Sequence, residues 1–381
     1  MLRQRHFAAV GWILLLPLVA ALVTSCARSG PPTKAGVTIG AVLSLTGDGA
    51  KFGQDQRRGI ELATDELNSR PSRQYDYRVF FEDSRTQPKD GVSAFQKLMG
   101  QSPRPPVVLT TMSSISMALK PLAIKEKIVL FCIAAHPQLT GDNDYVFRAF
   151  PTAGYQAKLL AREAVEQAKC KTFGLLYSND DFGVGCRETF RAEVKSRGGS
   201  VVAEQSLELG KTDYRSAITS VLGAKPEAIY VAAYQKPLAL ALRQTKELGY
   251  NGRVLSTIEI TYPEVLGAAK GAAEGVMFVD TAFDPKGHSH GMQKFATAFK
   301  RKFGRDPGPD AVFAYDEIRL VAQAAEATEP TGSGIAKGLH SIADYESPNG
   351  KVAILPNGDI GYPLQLKVIR GGRGVPYPAT G

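Results

Sequence analysis

Histidine is scarce in this chain: there are five in 381 residues, and His6 falls within the first ten. An acid–base engine built on imidazole is thinly supplied. Hydrolase motifs are missing too, with no G-x-S-x-G and no H-E-x-x-H. Asp181-Phe182-Gly183 matches a kinase tripeptide, but no H-R-D or V-A-I-K accompanies it. His288-Ser-His290, near Asp284, sits in a Gly-rich loop, where a solvated turn accounts for it better than a metal site. The chain is therefore expected to hold no metal or cofactor and not to be an enzyme.

Charge of one sign is concentrated nowhere. The formal net charge is +9, falling to +7 without Arg3 and Arg5, and no five like charges run together. That gives no footprint for nucleic acid. There is no internal repeat and no low-complexity segment.

Cysteine is rare, at four residues. Cys132 lies inside the apolar run 128–133 and is expected to pack as a small hydrophobe. Cys170 and Cys186 flank the strand-like run 172–177. A six-residue strand spans about 20 Å, against the roughly 7 Å that a disulfide tolerates between Cα atoms, so no bridge is expected.

One long apolar run is present, Phe7 to Val23, preceded by Arg3 and Arg5 and followed by Val23-Thr-Ser-Cys26. It is too short and wrongly flanked for a spanning helix. A positive start, an apolar core and small residues before the cut describe a secretory signal. Cys26 directly after them marks lipoprotein processing. Residues 1–25 are thus expected to be a lipoprotein signal peptide, Cys26 the acylated mature N-terminus, and 26–35 a flexible, Pro-containing tether. The mature chain would work on the extracytoplasmic side, in the periplasm or on the outer cell surface.

Beyond the tether, strand and helix signals alternate. Val37 to Leu45 is a near-continuous apolar strand of the kind found in parallel sheets. Helices are expected over 54–68, 88–99 and 116–125, with strands at 77–83, 107–111 and 128–133. A second series follows Phe147-Arg-Ala-Phe-Pro-Thr152, through the strands 172–177, 200–207, 228–232, 253–256 and 275–279. Two βα series in 356 mature residues imply an α/β protein of two doubly wound, Rossmann-like lobes. Gly47 to Gly53 lies where a dinucleotide loop would, with Asp83 placed like a ribose acid. Its G-x-G-x-x-x-G spacing is one residue too long for the fingerprint.

What remains is a binding cleft. In open α/β sheets, ligands sit beyond the carboxyl ends of the strands. Ser113 and Ser114 follow such a strand and precede a helix. Their hydroxyls and the free N–H groups there form a cradle for a carboxylate or amide, even if one of them also caps the helix.

Several segments resemble the branched-chain amino acid and amide-binding receptors of ABC importers. They are Ile39-Gly-Ala-Val-Leu-Ser-Leu-Thr-Gly47, Arg58-Gly-Ile-Glu-Leu-Ala-Thr-Asp-Glu-Leu-Asn68, Ala134-Ala-His-Pro-Gln-Leu-Thr140, Tyr145-Val-Phe-Arg-Ala-Phe-Pro151 and Asp180-Asp-Phe-Gly-Val-Gly185. Leu242 to Gly249 and Ala273-Glu-Gly275 continue the series, and the resemblance spans about 36–370. It implies a type I periplasmic binding protein: two lobes joined by three crossovers, closing on a ligand. Lobe one would be 36–150 and 282–330, lobe two 151–281 and 331–372. Ser113 would meet a ligand carboxylate, Glu259 a ligand ammonium, and Tyr234 would be a pocket aromatic. Phe182 replaces the family's Tyr, and its carboxylate-binding Thr falls at Ala135 or His136, neither of which supplies that hydroxyl. An amino acid, an amide or a small carboxylate remain the candidate ligands. The resemblance also implies a monomer, lipid-anchored, that delivers its ligand to an ABC permease and ATPase complex. A sensor that engages a membrane kinase or chemoreceptor is the alternative.

Overall fold

The first series builds β1 (Gly36–Leu43), α1 (Ala50–Asn68), β2 (Asp76–Asp83), α2 (Pro88–Met99), β3 (Val107–Thr111), α3 (Ser113–Glu126), β4 (Val129–Ile133) and β5 (Val146–Arg148). The second builds α4 (Ala153–Glu166), β6 (Thr172–Ser178), α5 (Asp181–Ser196), β7 (Ser200–Leu207), α6 (Arg215–Gly223), β8 (Ala228–Ala232), α7 (Gln235–Glu247), β9 (Arg253–Ser256), α8 (Pro263–Ala269) and β10 (Met277–Asp280). The chain continues through α9 (His290–Phe303), α10 (Pro309–Ala327) and α11 (Gly332–His340). A ribbon of β11 (Tyr345–Ser347) and β12 (Gly350–Val352) precedes β13 (Gln365–Arg370) and β14 (Arg373–Pro376). This is a computed structural model, and it describes residues 34–286 and 289–377. The signal segment, Cys26, most of the tether and His288 lie outside the described residues.

Among the described residues, the strands form two main sheets. The first, in the order β2-β1-β3-β4-β5, is parallel throughout. The second runs β14-β13-β10-β9-β8-β6-β7, parallel except where β13 and β14 join antiparallel at one edge. The orders β2-β1-β3-β4-β5 and β7-β6-β8-β9-β10 are the same doubly wound pattern used twice. Strands β1, β3, β4 and β8 are buried almost residue for residue, which is why they appear in the sequence as unbroken apolar runs. The chain passes between the lobes three times: after β5, after β10 and before β13.

The boundary expected at 331 is corrected. Helix α11 packs on α10 and β4 of lobe one. Tyr345 and Tyr362 donate to the Asp316 carboxylate of α10, both at 2.9 Å, and Ser347 donates to it as well. Asp359 pairs with Arg148 at the end of β5 at 2.7 Å. Residues 332–362 therefore stay with lobe one, and only β13 and β14 return to the second sheet. Sequence could not show this, because three hydroxyls converging on one buried carboxylate leave no periodic signal.

Two helices start earlier than expected. Helix α1 begins at Ala50, with the Gly49 N–H bonded to Thr86 Oγ1 at 3.0 Å. Helix α3 begins at Ser113, after Met112 takes a left-handed φ of 66°. Cys132, Cys170 and Cys186 are free and buried. Asp83 is not available to a ribose: its carboxylate accepts from the N–H groups of Leu45, Thr46 and Arg85 and from the Thr46 hydroxyl, at 2.6–3.2 Å. Burial, the largest single influence, acts upward, but those bonds together hold the carboxyl below its usual range. No helix among the described residues is long and apolar enough to cross a membrane.

Candidate ligand-binding cleft

Each sheet carries its functional side chains just past the carboxyl ends of its strands, and the two sets face each other. From lobe one come Phe52 on α1 after β1, Met112 and Ser113 after β3, and Ala135 after β4. From lobe two come Phe182 after β6, Tyr234 after β8 and Glu259 after β9. In both lobes the residues cluster where the strand order reverses, as open α/β sheets require. The inner cavity is small, about 30 Å³. A vestibule of about 430 Å³ opens beyond it and shares Phe52, Met112, Ser113, Phe182 and Tyr234.

Aromatic rings form the walls. Phe182 stacks on Tyr234 with centroids 4.6 Å apart and planes 22° apart. Phe52 meets Tyr262 edge-on at 5.3 Å and Tyr234 at 6.1 Å. Phe52 belongs to lobe one and both tyrosines to lobe two, so these contacts close the cleft.

The polar groups are few and buried. Ser113 is 2 % exposed, and its hydroxyl, with Tyr234 nearby, makes no hydrogen bond within 3.5 Å. It stands in the first turn of α3, where backbone N–H groups lack intrahelical acceptors and the helix dipole favours a negative or polar oxygen. Opposite, Glu259 is 3 % exposed and its Oε2 is unpartnered. Burial pushes this carboxyl far up, and Asp310 and then Asp180 push it further. Asp310, in the first turn of α10, accepts from the Tyr262 hydroxyl across the cleft and from Gln56 at 3.1 Å. Burial, the largest cause, raises it to about 7.

The expected site residues divide. Ser113, Ala135, Phe182, Tyr234 and Glu259 line the inner cavity together. Ser114 lies in the vestibule. His136 is corrected: it lies outside both, capping the short turn 137–139, where its Nδ1 accepts the Gln138 N–H at 3.3 Å. Desolvation, the largest cause, lowers its pKa.

Comparison with known proteins matches this geometry to a family. The model of the periplasmic binding proteins matches residues 36–363. This chain belongs to the periplasmic binding protein family. Among its relatives, the Leu/Ile/Val-binding protein homolog 3 of Brucella melitensis is 25% identical over 331 residues, covering 86% of this chain and 90% of that one. The branched-chain amino acid transporter substrate-binding protein LivJ of Streptococcus pneumoniae, solved with isoleucine, superposes with a TM-score of 0.81 at 23% identity, covering 89% of this chain and 97% of that one. A solute-binding protein of an ABC transporter from Rhodopseudomonas palustris, solved with 3,4-dihydroxybenzoic acid, gives 0.80 at 21% identity, covering 90% and 96%. These likenesses establish the two-lobed fold with its three crossovers.

Within the periplasmic binding protein frame, sequence reading missed Phe52, Met112, Tyr262 and Asp310, all of which line the cavity. Phe52 sat in a stretch taken for loop because α1 begins four residues early. Asp310 follows Gly308-Pro309, an ordinary helix start, and only the fold brings it 51 positions back along the chain to Glu259.

Proposed function

We propose that this periplasmic binding protein is a lipid-anchored, extracytoplasmic solute receptor that closes on an amino acid, an amide or a small carboxylate and delivers it to an ABC importer. The observation that carries this reading is the inner cavity, with the unpartnered hydroxyl of Ser113 from one lobe set against the unpartnered Glu259 Oε2 from the other. An unsatisfied buried polar group costs about 1–3 kcal/mol, so a ligand that satisfies both recovers that free energy on binding. The relatives named for leucine, isoleucine and valine binding, and the neighbours solved with isoleucine and a hydroxybenzoate, support a small-solute ligand. The N-terminal order of Arg3, Arg5, the apolar run and Cys26 supports the anchor.

The deciding experiment is a thermal-shift screen of the mature protein against amino acids, amides and small carboxylates. A ligand at 100 times its Kd stabilises by about 2.7 kcal/mol. Failure of every solute to raise the melting temperature would count against a receptor for this class.

A further inference from the structure

The two spaces of the cleft are very unequal, about 30 Å³ in the inner cavity against about 430 Å³ in the vestibule. One water needs roughly 10–15 Å³ of such space, and a dry pocket that takes up benzene measures about 150 Å³. The inner cavity therefore has room for about two or three heavy atoms. It is not waiting for closure to take shape, because the lobes already meet there. Phe52 stands edge-on to Tyr262 and Tyr234, and the Tyr262 hydroxyl donates to Asp310. A bulkier group would have to part these contacts. Yet the oxygens left for a ligand lie at this narrow end, since neither Ser113 Oγ nor Glu259 Oε2 makes a hydrogen bond within 3.5 Å.

The vestibule continues the same space, with five residues lining both. Its charged groups are largely engaged. Asp180 accepts from Ser178 and from the Gly183 N–H, Lys211 pairs with Glu208, and Glu264 stands 3.7 Å from Lys51. Its apolar surface is not engaged: Leu209, Pro237 and Ala268 carry the wall outward from Phe182 and Met112. Leu209 is 52 % exposed, one of the large apolar side chains that the fold leaves in water. Covering it is favourable in proportion to the apolar area removed from water.

We propose that the cleft takes an elongated solute, with a slim carboxamide or carboxyl head between Ser113 and Glu259 and an apolar body of several carbons lying in the vestibule against Leu209 and Ala268. The inference rests on reading the cleft as the receptor's ligand site and narrows that reading by shape. An amide head matches both oxygens, its carbonyl accepting from the Ser113 hydroxyl and its N–H donating to Glu259 Oε2. A carboxyl head is matched when one proton is shared, and burial holds the Glu259 carboxyl high enough to carry it. A branched α-amino acid sets an ammonium and a side chain on the carbon beside its carboxylate, which is too broad for the inner cavity.

The test is calorimetry of the mature protein with two straight-chain series, acetamide to octanamide and acetate to octanoate, beside L-leucine. In at least one series affinity should climb with length, by up to about fourfold for each CH₂ group that leaves water. The longest member should bind at least about tenfold more tightly than the shortest and than L-leucine. Leu209→Ser removes apolar wall and Ala268→Trp fills the space, both at exposed positions. Each should weaken the longest member by about threefold or more without lowering the melting temperature of the free protein. L-leucine or a two-carbon member binding as tightly as the longest one would overturn the proposal and leave the receptor reading standing. Wild-type affinity of both variants for the longest member would also overturn it. Binding of no probe at all would count against both.

Discussion

Two buried carboxyls facing one cavity give this protein a pH signature that the rest of its surface does not. Asp310 titrates at about 7, against 3.8 for the free side chain, because burial disfavours its charged form. Over that window the folded state binds more protons than the unfolded state, so stability falls as pH rises from the lower value to the upper and levels off above it. Asp316 acts in the same direction, raised by burial to about 6. Asp310→Asn removes the Asp310 contribution. Its unfolding free energy relative to wild type, from urea titration without ligand, should shift in the variant's favour between about pH 5 and about pH 8, by on the order of 2 kcal/mol. An unchanged difference at the two pH values would show that Asp310 is not the titrating group. At this scale sequence was a partial guide. Ser113, Tyr234 and Glu259 were legible because each directly follows a strand that could be recognised from its apolar run. Asp310 and Tyr262 were not, since the cleft lies between segments far apart in sequence, and His136 caps the turn 137–139 outside the lining of the inner cavity.

Elements follow the same logic one step up. The strands were legible because a parallel sheet covered on both faces buries nearly every residue of each strand. The pieces that escaped are short or owe their place to partners: β5 has three residues, and α11 is held by α10 and by the tail that wraps Asp316. Helix α1 shows how one residue fixes an interface. It crosses α10 so closely that a Cβ at Gly59 would collide with the Ala311 carbonyl, which is backbone and cannot turn aside. Gly53 meets the Ser44 carbonyl in the same way at the other end of the contact with β1. Overpacking a tight contact costs about 1–3 kcal/mol. Gly59→Ala should therefore destabilise by about 2 kcal/mol or more, even though alanine is the better helix former by about 1 kcal/mol. Urea unfolding checks it, and a variant as stable as wild type would mean that the two helices can slide apart freely. Met112 carries a different local cost. Its φ of 66° is unusual for a residue with a side chain, and it lines both the inner cavity and the vestibule. The strain sits where the inner cavity meets the vestibule.

For the whole molecule, two events remain to be joined: attachment and closure. The proposed anchor rests on sequence alone, since Cys26 lies outside the described residues. Acyl chains add about 0.8 kcal/mol of membrane affinity per buried CH₂. Cys26→Ser should release the protein into the soluble fraction, and an unmodified N-terminus elsewhere in intact-mass spectra would refute processing at that residue. Closure is visible in the contacts that cross the cleft: Tyr262 to Asp310, Lys51 to Glu264, and Phe52 against two tyrosines of the other lobe. None of them needs a ligand, so the closed form has a free energy of its own, and a ligand must shift the balance by its differential affinity for that form. Tyr262→Phe removes a hydrogen bond to a carboxylate, a contact that contributes about 1.5–3 kcal/mol when the acceptor is charged. The ligand-free variant should then populate the open form about tenfold more than wild type. Small-angle scattering would show this as a larger radius of gyration that contracts again with saturating ligand. The effect should be strongest above about pH 7, where Asp310 is ionised and the lost bond was worth most. A radius of gyration that is the same in wild type and variant, with and without a tight ligand, would mean that the lobes are fixed and that binding proceeds without closure.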